Sequence, residues 1–334
     1  MRDAAMKRFF QKLWDSISDP ALKLPLTVAA LFLTLVLAGL LLASGWTEQA
    51  AGVPAEIVLG PGDGQSEPES AEQSTMPGQV LPPVPSPEPD ESESGWTSQG
   101  GKEYYLLEDG SFAVGLQRIG GKLYYFDENG VKAKALGVDV SYYDSDIDWE
   151  LVKAMGVDFA IIRVGGRGWT SGVLYDDCRT QEYLRRARAA GLRIGVYFYS
   201  TAVNPREAVE EARAALKALG GIPLELPVFI DMEYSGEYPK GRADKLSPDE
   251  RAEIAMAFCE TIRNSGYQPG IYAGQNYMKA AIDYYVISRY TVWLASYTVN
   301  DRLPNFSRRY DLWQFTDRGR VDGIAGPVDL NVIF

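Results

Sequence analysis

The sequence predicts an α/β fold: an irregular, TIM-like β/α barrel with eight strands, preceded by a small β-hairpin repeat module and an N-terminal transmembrane helix. Three observations carry this expectation. From Leu136 onward, short apolar runs alternate with amphipathic segments. Between Gly95 and Gly130, one pattern of Gly, Lys and Tyr-Tyr recurs at a spacing of 20 residues. Leu24 to Thr47 carries no charge.

In the C-terminal part, strands are expected at Leu136–Tyr143, Phe159–Gly165, Arg193–Ser200, Pro227–Tyr234, Pro269–Ala273, Thr291–Tyr297, Leu312–Thr316 and Val328–Phe334. Helices separate the early ones. Asn204-Pro205 reads as an N-cap followed by proline at the first helical position. Ser247-Pro248-Asp249-Glu250 reads as a capping box. Alternating strands and helices argue for a parallel sheet, and eight strands in one stretch argue for a closed barrel with its last helices shortened. The barrel is therefore expected over 135–334, with any site at the carboxyl ends of the strands.

The repeats read as two hairpins over 95–134. Each has a Gly-Gly-Lys turn, a Tyr-Tyr strand and a closing Asp-Gly or Asn-Gly turn. They differ at one aromatic position, Trp96 in the first and Leu116 in the second.

The N-terminal third has a different character. A helix over 24–46 has the length to span a bilayer, which takes about 20 apolar residues. Arg2, Lys7, Arg8, Lys12 and Lys23 precede it, and no Lys or Arg follows until Lys102. The positive-inside rule puts 1–23 in the cytoplasm and the rest outside. A cleaved signal peptide is the competing reading, but the apolar stretch exceeds a usual h-region and Ala43-Ser44-Gly45 is a weak cleavage site. Residues 48–94 hold ten acidic residues and nine prolines, without a basic or aromatic residue. Such a segment cannot bury enough apolar surface to order itself, so 47–94 reads as a disordered acidic linker. Subtracting its ten charges from the net −12 leaves −2 for everything else. The acidity says nothing about a substrate, and the absence of a basic patch gives no support for nucleic-acid binding. Cys178 and Cys259 are 81 positions apart, and Cys259 lies in an apolar helical run, so packed or free thiols are expected rather than a disulfide.

Asp231-Met232-Glu233 carries the chemistry. It ends the apolar run Leu226–Ile230, and residues two apart on a strand share a face about 6–7 Å apart. Two carboxylates at this separation suit cleavage of a glycosidic bond. The chain contains no histidine, which removes Ser-His-Asp, Cys-His and His-ligated metal chemistry and leaves Asp, Glu, Tyr, Lys or Cys to move protons. No metal or organic cofactor is implied. Asp139 and Asp329 fall on other strands of the same barrel.

Taken in order, Gly137–Ser141, Gly195–Tyr199, Phe229–Glu233, Gly270–Ala273, Trp293–Tyr297, Leu312–Phe315 and Val328–Asn331 resemble glycoside hydrolase family 25 over the whole of 135–334. That family comprises lysozymes that cut peptidoglycan between N-acetylmuramic acid and N-acetylglucosamine. The resemblance implies Glu233 as general acid. To hold a proton near neutral pH it would lean on the Asp231 charge and partial burial. Asp231 would stabilise the oxocarbenium-like transition state, orient the 2-acetamido group, or act as a base towards water. Asp139 and Asp329 would be supporting aspartates, and Arg163 would pair with a catalytic aspartate. Tyr197, Tyr199, Tyr234, Tyr272, Trp293, Tyr297 and Trp313 would contact sugar. Many relatives have Tyr-His where this chain has Tyr197-Phe198; Phe198 is expected to point away from the pocket. The hairpins resemble the cell-wall-binding repeats of the choline-binding family, which implies either a wall polymer as ligand or a spacer packed on the next domain.

The implied function is a membrane-anchored muramidase acting on peptidoglycan glycan strands, outside the cytoplasmic membrane of a Gram-positive-type cell. Two alternatives stand beside it. One is a non-catalytic wall-binding scaffold, against which the retained Asp231 and Glu233 argue. The other is a chitinase-like hydrolase, whose further upstream aspartates are here replaced by Val228, Phe229 and Ile230.

Overall fold

The computed structural model describes residues 94–334 apart from 145, 237–240 and 299–301. The expected cytoplasmic segment and transmembrane helix, and the acidic linker but for its last residue, lie outside the described residues. Among the described residues no helix is long and apolar enough to cross a membrane.

Two antiparallel hairpins come first: β1 (Gly95–Gln99) with β2 (Lys102–Leu106), and β3 (Gly115–Ile119) with β4 (Lys122–Phe126). Their two-residue turns are Gly100-Gly101 at φ +58° and +75° and Gly120-Gly121 at +56° and +82°. Two consecutive positive φ values define the tight turn that matches strand twist, and only glycine adopts them without strain.

The barrel follows. Its strands are β5 (Ala135–Val140), β6 (Phe159–Arg167), β8 (Arg193–Ser200), β9 (Val228–Met232), β10 (Pro269–Gly274), β11 (Thr291–Ala295), β12 (Leu312–Gly319) and β13 (Val328–Ile333). They lie in the order β5-β13-β12-β11-β10-β9-β8-β6, and β5 pairs with β6 to close the circle. A short strand not expected from the sequence, β7 (Leu174–Asp176), pairs antiparallel with the end of β6.

Helices α1 (Trp149–Ala154), α2 (Thr180–Ala189), α3 (Pro205–Leu219) and α4 (Pro248–Asn264) connect successive early strands. The expected caps are formed. The Asn204 side chain accepts from Glu207 N at 3.0 Å, and the capping box of Ser247 and Glu250 is closed from both sides. The later crossover holds only the short α5 (Gln275–Ala280) and α6 (Tyr284–Ile287), and no helix is described between β11 and β12.

The parallel sheet expected from the alternation is corrected at one strand. β13 is antiparallel to both β12 and β5, so the barrel is mixed. The reason is the connection. A parallel crossover needs a dozen or more residues, and the short 320–327 segment joins β12 to β13 instead.

Alternation along the strands creates two cores. Phe159, Ile161, Phe229, Tyr272, Trp293 and Leu312 fill the barrel interior. Val138, Ile162, Val196, Phe198, Ile230, Leu294 and Val332 face outward into the layer under the helices. Interior packing leaves no room at Gly137, where a Cβ would lie 2.2 Å from the Phe159 ring.

Where the helices run out, the second hairpin takes their place. The Tyr125 ring meets Phe315 at 4.8 Å, Trp313 at 5.7 Å and Phe334 at 5.9 Å. Leu123 N donates to Met155 O at 2.7 Å, and Arg118 pairs with Asp322 at 3.0 Å. Leu123 and Tyr125 belong to the outer core, with Leu116 packed against it. Hairpins and barrel thus form one compact unit. Both cysteines are free, Cys178 exposed and Cys259 buried.

Candidate active site

The carboxyl ends of the parallel strands converge on a cluster of acidic and phenolic side chains. Asp231 is the fourth residue of β9 and shares the inner face with Phe229. It stands in register with Tyr199 on β8 and Tyr272 on β10. Asp139 and Asp329 face each other directly across β5 and β13. Asp139 and Asp231 are buried. Glu233 follows one residue beyond β9 and is half-buried.

Asp139 is braced by two side-chain amides. Its Oδ2 accepts from Gln314 Nε2 at 2.8 Å and from Asn331 Nδ2 at 2.8 Å. The other ends of those amides are also engaged. Gln314 Oε1 accepts from the Tyr272 hydroxyl at 2.8 Å and the Tyr297 hydroxyl at 2.7 Å. Asn331 Oδ1 accepts from Trp293 Nε1 at 2.7 Å. The chain of donors fixes both amide orientations and presents two N–H groups to one carboxylate oxygen, an arrangement suited to the ionised form.

The phenols report on their neighbours. Burial pushes the Tyr272 hydroxyl far above its ordinary pKa, with the charges of Glu233, Asp231 and Asp139 adding to it. Tyr297 is raised in the same way by burial and then by Asp329, Glu233 and Asp139. Tyr197 is raised by burial, opposed by Arg163 and reinforced by Asp139 and Asp231. All four carboxylates therefore share one neighbourhood, and the three phenols stay protonated and serve as donors rather than bases.

A cavity of about 400 Å³ opens beside Glu233, walled by Tyr234, Tyr272, Tyr277 and Tyr297. Tyr234 and Tyr297 keep 49% and 44% of their surface exposed, so each offers a face to a ligand. Of the sequence-predicted sugar contacts, Tyr234, Tyr272 and Tyr297 line this cavity. Tyr197 lies half-buried on the inner face, its ring edge-on to Trp293 at 6.1 Å. Tyr199 is largely buried beside Asp231. Phe198 points outward, as expected.

Three expectations are corrected. Trp313 does not reach the cleft: it faces outward, is fully buried against Tyr125 and donates Nε1 to Ser296 O at 2.9 Å. It sits on the opposite face of β12 from Gln314, so alternation excludes it. Trp293 points inward but is buried below the rim, packed against Phe229 and Tyr272. It supports the site and presents no face to a sugar. Arg163 does not pair with a catalytic aspartate. Its Nε donates to Asp177 at 2.9 Å, with the guanidinium stacked on Tyr142 and Tyr143. The partner comes from the segment after β7, a strand not expected from the sequence.

Several contributors were not singled out from the sequence. Gln314 and Asn331 carry the Asp139 network; a polar residue at an inward position of an otherwise apolar strand was the available signal. Arg251 of α4 lies over the rings of Tyr234 and Tyr277, 5.3 Å from each. Its Nη2 donates to Asp244 O at 2.9 Å. Asp244 in turn accepts from Ser235 N at 3.0 Å and from Gly241 N at 2.9 Å, clamping the loop that leaves Glu233. No group of His, Cys, Asp and Glu among the described residues is arranged to hold a metal ion.

The model for glycosyl hydrolases family 25 matches residues 138–324, and one for a cell wall binding repeat matches 114–132. An autolytic lysozyme of Clostridium acetobutylicum is 28% identical over 196 residues, 58% of this chain and 54% of that one. The uncharacterised Escherichia coli K12 protein YegX is 31% identical over 203 residues, 59% of this chain and 68% of that one. This chain thus spans about half the length of the autolytic lysozyme. Among solved structures, the modular autolysin LytC of Streptococcus pneumoniae superposes with a TM-score of 0.56 at 22% identity, over 72% of this chain and 58% of that one. A lysozyme of Streptomyces coelicolor gives 0.51 at 23%, over 60% and 91%. At these identities the structural likeness speaks to the fold. The family match covers more than half of the sequence and spans β5 to the approach to β13, and on it the chain belongs to glycosyl hydrolases family 25.

Proposed function

We propose that this protein is a membrane-tethered muramidase that hydrolyses the β-1,4 bond between N-acetylmuramic acid and N-acetylglucosamine in peptidoglycan. The observation that carries the reading is the pairing of a half-buried Glu233 with a buried Asp231 at the carboxyl rim of a family 25 barrel, beside an aromatic-walled cavity. Similarity to an autolytic lysozyme of Clostridium acetobutylicum and to Lysozyme M1 of Streptomyces globisporus supports the same substrate class.

In this mechanism Glu233 donates its proton to the glycosidic oxygen as the bond to the anomeric carbon breaks. Positive charge builds on the sugar ring, and Asp231 and Asp139 hold negative charge near it. Water adds to the anomeric carbon and its proton returns to a carboxylate, leaving a new reducing end. Gln314 and Asn331 keep Asp139 in place, and the protonated phenols of Tyr272 and Tyr297 keep Gln314 in place. The tether rests on the uncharged stretch Leu24–Thr47 with its basic N-terminal flank, and it would hold the barrel outside the membrane, within reach of the wall.

The test is release of reducing ends from purified peptidoglycan by the full chain, with chitin as comparator. Muropeptides with muramic acid at the new reducing end are expected, and the Glu233→Gln chain should release them about 10²–10⁴-fold more slowly. N-acetylglucosamine at the reducing end, or faster cleavage of chitin, would overturn the bond assignment. No release from either polymer would overturn the hydrolase reading.

A further inference from the structure

We propose that the ion pair between Arg242 and Glu207 positions Glu233: it ties the loop that leaves the acid to helix α3 and so sets where the carboxyl group points. This role rests on the hydrolase reading and adds positioning residues to that same site.

Glu233 needs an anchor on its far side. The pairing of β9 ends at Met232, which is buried and in register with Ser200. Ser235 is buried again. Only Glu233 and Tyr234 lie between these two fixed points, so the direction of the Glu233 side chain follows from where Ser235 is held. Asp244 holds it. Oδ1 accepts from Ser235 N at 3.0 Å, and Oδ2 accepts from Ser235 Oγ at 2.5 Å and Gly241 N at 2.9 Å. Gly241 N also reaches Ser235 Oγ at 2.5 Å. These partners all belong to one loop. They fix its shape but not its place on the barrel.

Arg242 supplies the place. Its backbone N donates to Trp169 O, in the turn after β6, at 3.0 Å. Its guanidinium forms a fork on Glu207 of α3, Nη1 to Oε2 at 2.5 Å and Nη2 to Oε1 at 2.9 Å, and Nη1 also donates to Thr201 O at 3.1 Å. Two parallel bonds of this kind fix orientation as well as distance. The side chains keep only 23% and 13% of their surface exposed, so water screens the pair less than it would on an open surface. The bonds from Arg242 draw the Glu207 carboxyl below its ordinary range, against the opposing effect of burial. Glu207 is held from its own side as well: Val203 N donates to it at 3.1 Å, and Arg167 at the end of β6 lies 4.0 Å away. The fit is close, since a Cβ on Gly172 would come within 2.9 Å of Arg242 Cζ.

The loop thus has two ties with different tasks. Arg251 lies over the Tyr234 ring, under the aromatic wall. Arg242 and Glu207 are absent from the cavity lining, so their influence on the reaction passes through the backbone at 233–235. Losing the second tie should spoil proton delivery more than binding.

The experiment compares the full chain with Arg242→Gln, Glu207→Gln and the double variant on soluble glycan strands. Each single variant should lower kcat by about 10–10²-fold, the effect of a small misplacement at the reacting centre. KM should move less than about twofold. The double variant should fall no further than the singles, because the same tie is lost in all three. An aryl β-glycoside of N-acetylglucosaminyl-N-acetylmuramic acid with a dinitrophenolate leaving group needs no proton from Glu233, and the variants should cleave it at the wild-type rate. The Ser235 and Arg242 amides should exchange hydrogen faster in the variants while the strand amides do not. Equal losses on both substrates, additive losses in the double variant, an unchanged kcat on glycan, or unchanged exchange at those two amides would each overturn the assignment. Should Arg242→Gln fail to fold, Arg242→Lys keeps the charge, lacks the fork and is read by the same measurements. If the wild-type chain releases no reducing ends while exchange at Ser235 follows Arg242 and Glu207, the hydrolase reading fails and the tie stands. If glycan is cleaved and the variants keep the wild-type kcat, the tie fails and the hydrolase stands.

Discussion

Two walls of the same cleft are built on opposite rules. On the β5–β13–β12 side, the inward polar groups are tied into one network: Asp139 holds two amide donors, and those amides are locked by Tyr272, Tyr297 and Trp293. On the β9–β10 side, Glu233 stands beyond its strand, half-buried, beside a Tyr234 that is half exposed. The first wall fixes where negative charge sits. The second leaves a carboxyl group and an aromatic face free to meet a ligand. Catalysis that depends on preorganised charge and a mobile proton needs both kinds of wall.

Substitutions separate them. Glu233→Gln should lower the rate of glycan cleavage by about 10²–10⁴-fold, the usual contribution of a general acid, with little change in the denaturation midpoint. Asp139→Leu should affect both properties. It removes the oxygen that accepts from Gln314 and Asn331, so a buried pair of N–H groups loses its partner at a loss of about 1–3 kcal/mol. Denaturant titration and initial rates on the same samples decide the matter. If Asp139→Leu unfolds at the wild-type midpoint, the braced wall is not a structural element, and the contrast between the walls collapses.

The same contrast explains what could be read from the sequence. Strand positions were legible because apolar runs of barrel length are bounded by turns, and Asp139, Asp231, Glu233 and Asp329 were legible because carboxylates at strand ends are conspicuous. Inward or outward direction was legible for Phe198 through alternation with Tyr197 and Tyr199. The same alternation puts Trp313 and Gln314 on opposite faces of β12 without saying which of them points inward. The hydrogen-bond network was not legible, since it joins residues 175 and 192 positions apart. The antiparallel last strand depends on a connection too short to cross over, and Asp177 reaches Arg163 only because β7 folds back on β6. Arg251 lies on a helix whose buried face reads as apolar, and nothing in the local pattern points to the stacked rings beneath it.

The outer side of the braced wall gives a third test. Tyr125 is buried against Trp313 and Phe315, whereas Trp96 on the first hairpin keeps 45% of its surface open. Tyr125→Ala should destabilise the barrel by about 3 kcal/mol or more through the cavity it leaves, followed by tryptophan fluorescence in denaturant. Trp96→Ala should change the midpoint much less. Equal effects would mean that the two hairpins play the same part and that the second is not the cover for the helix-poor side.

One further expected effect lies behind the cleft, on α3, and depends on pH. Glu211 is fully buried; its carboxylate accepts from Arg167 Nε at 2.8 Å and Ser200 Oγ at 2.6 Å. Glu207 and Glu210 also contact Arg167, and Arg242 pairs with Glu207. Burial outweighs these partners and pushes Glu211 up to about 7 from an ordinary 4.5. The folded state then binds a proton that the unfolded state has released, so between these two values stability falls as pH rises. The stabilising share is fully present below about 4.5 and is lost as pH climbs through about 7, with an upper size of roughly 3 kcal/mol. Glu211→Gln cannot titrate, and the difference between wild type and variant isolates this group from every other carboxylate. Wild type should lose stability relative to the variant across that window, read as paired denaturant titrations at pH 4.5, 5.5, 6.5 and 7.5. A difference that stays constant, or that grows in favour of wild type as pH rises, would mean that Arg167 dominates and that Glu211 is ionised throughout.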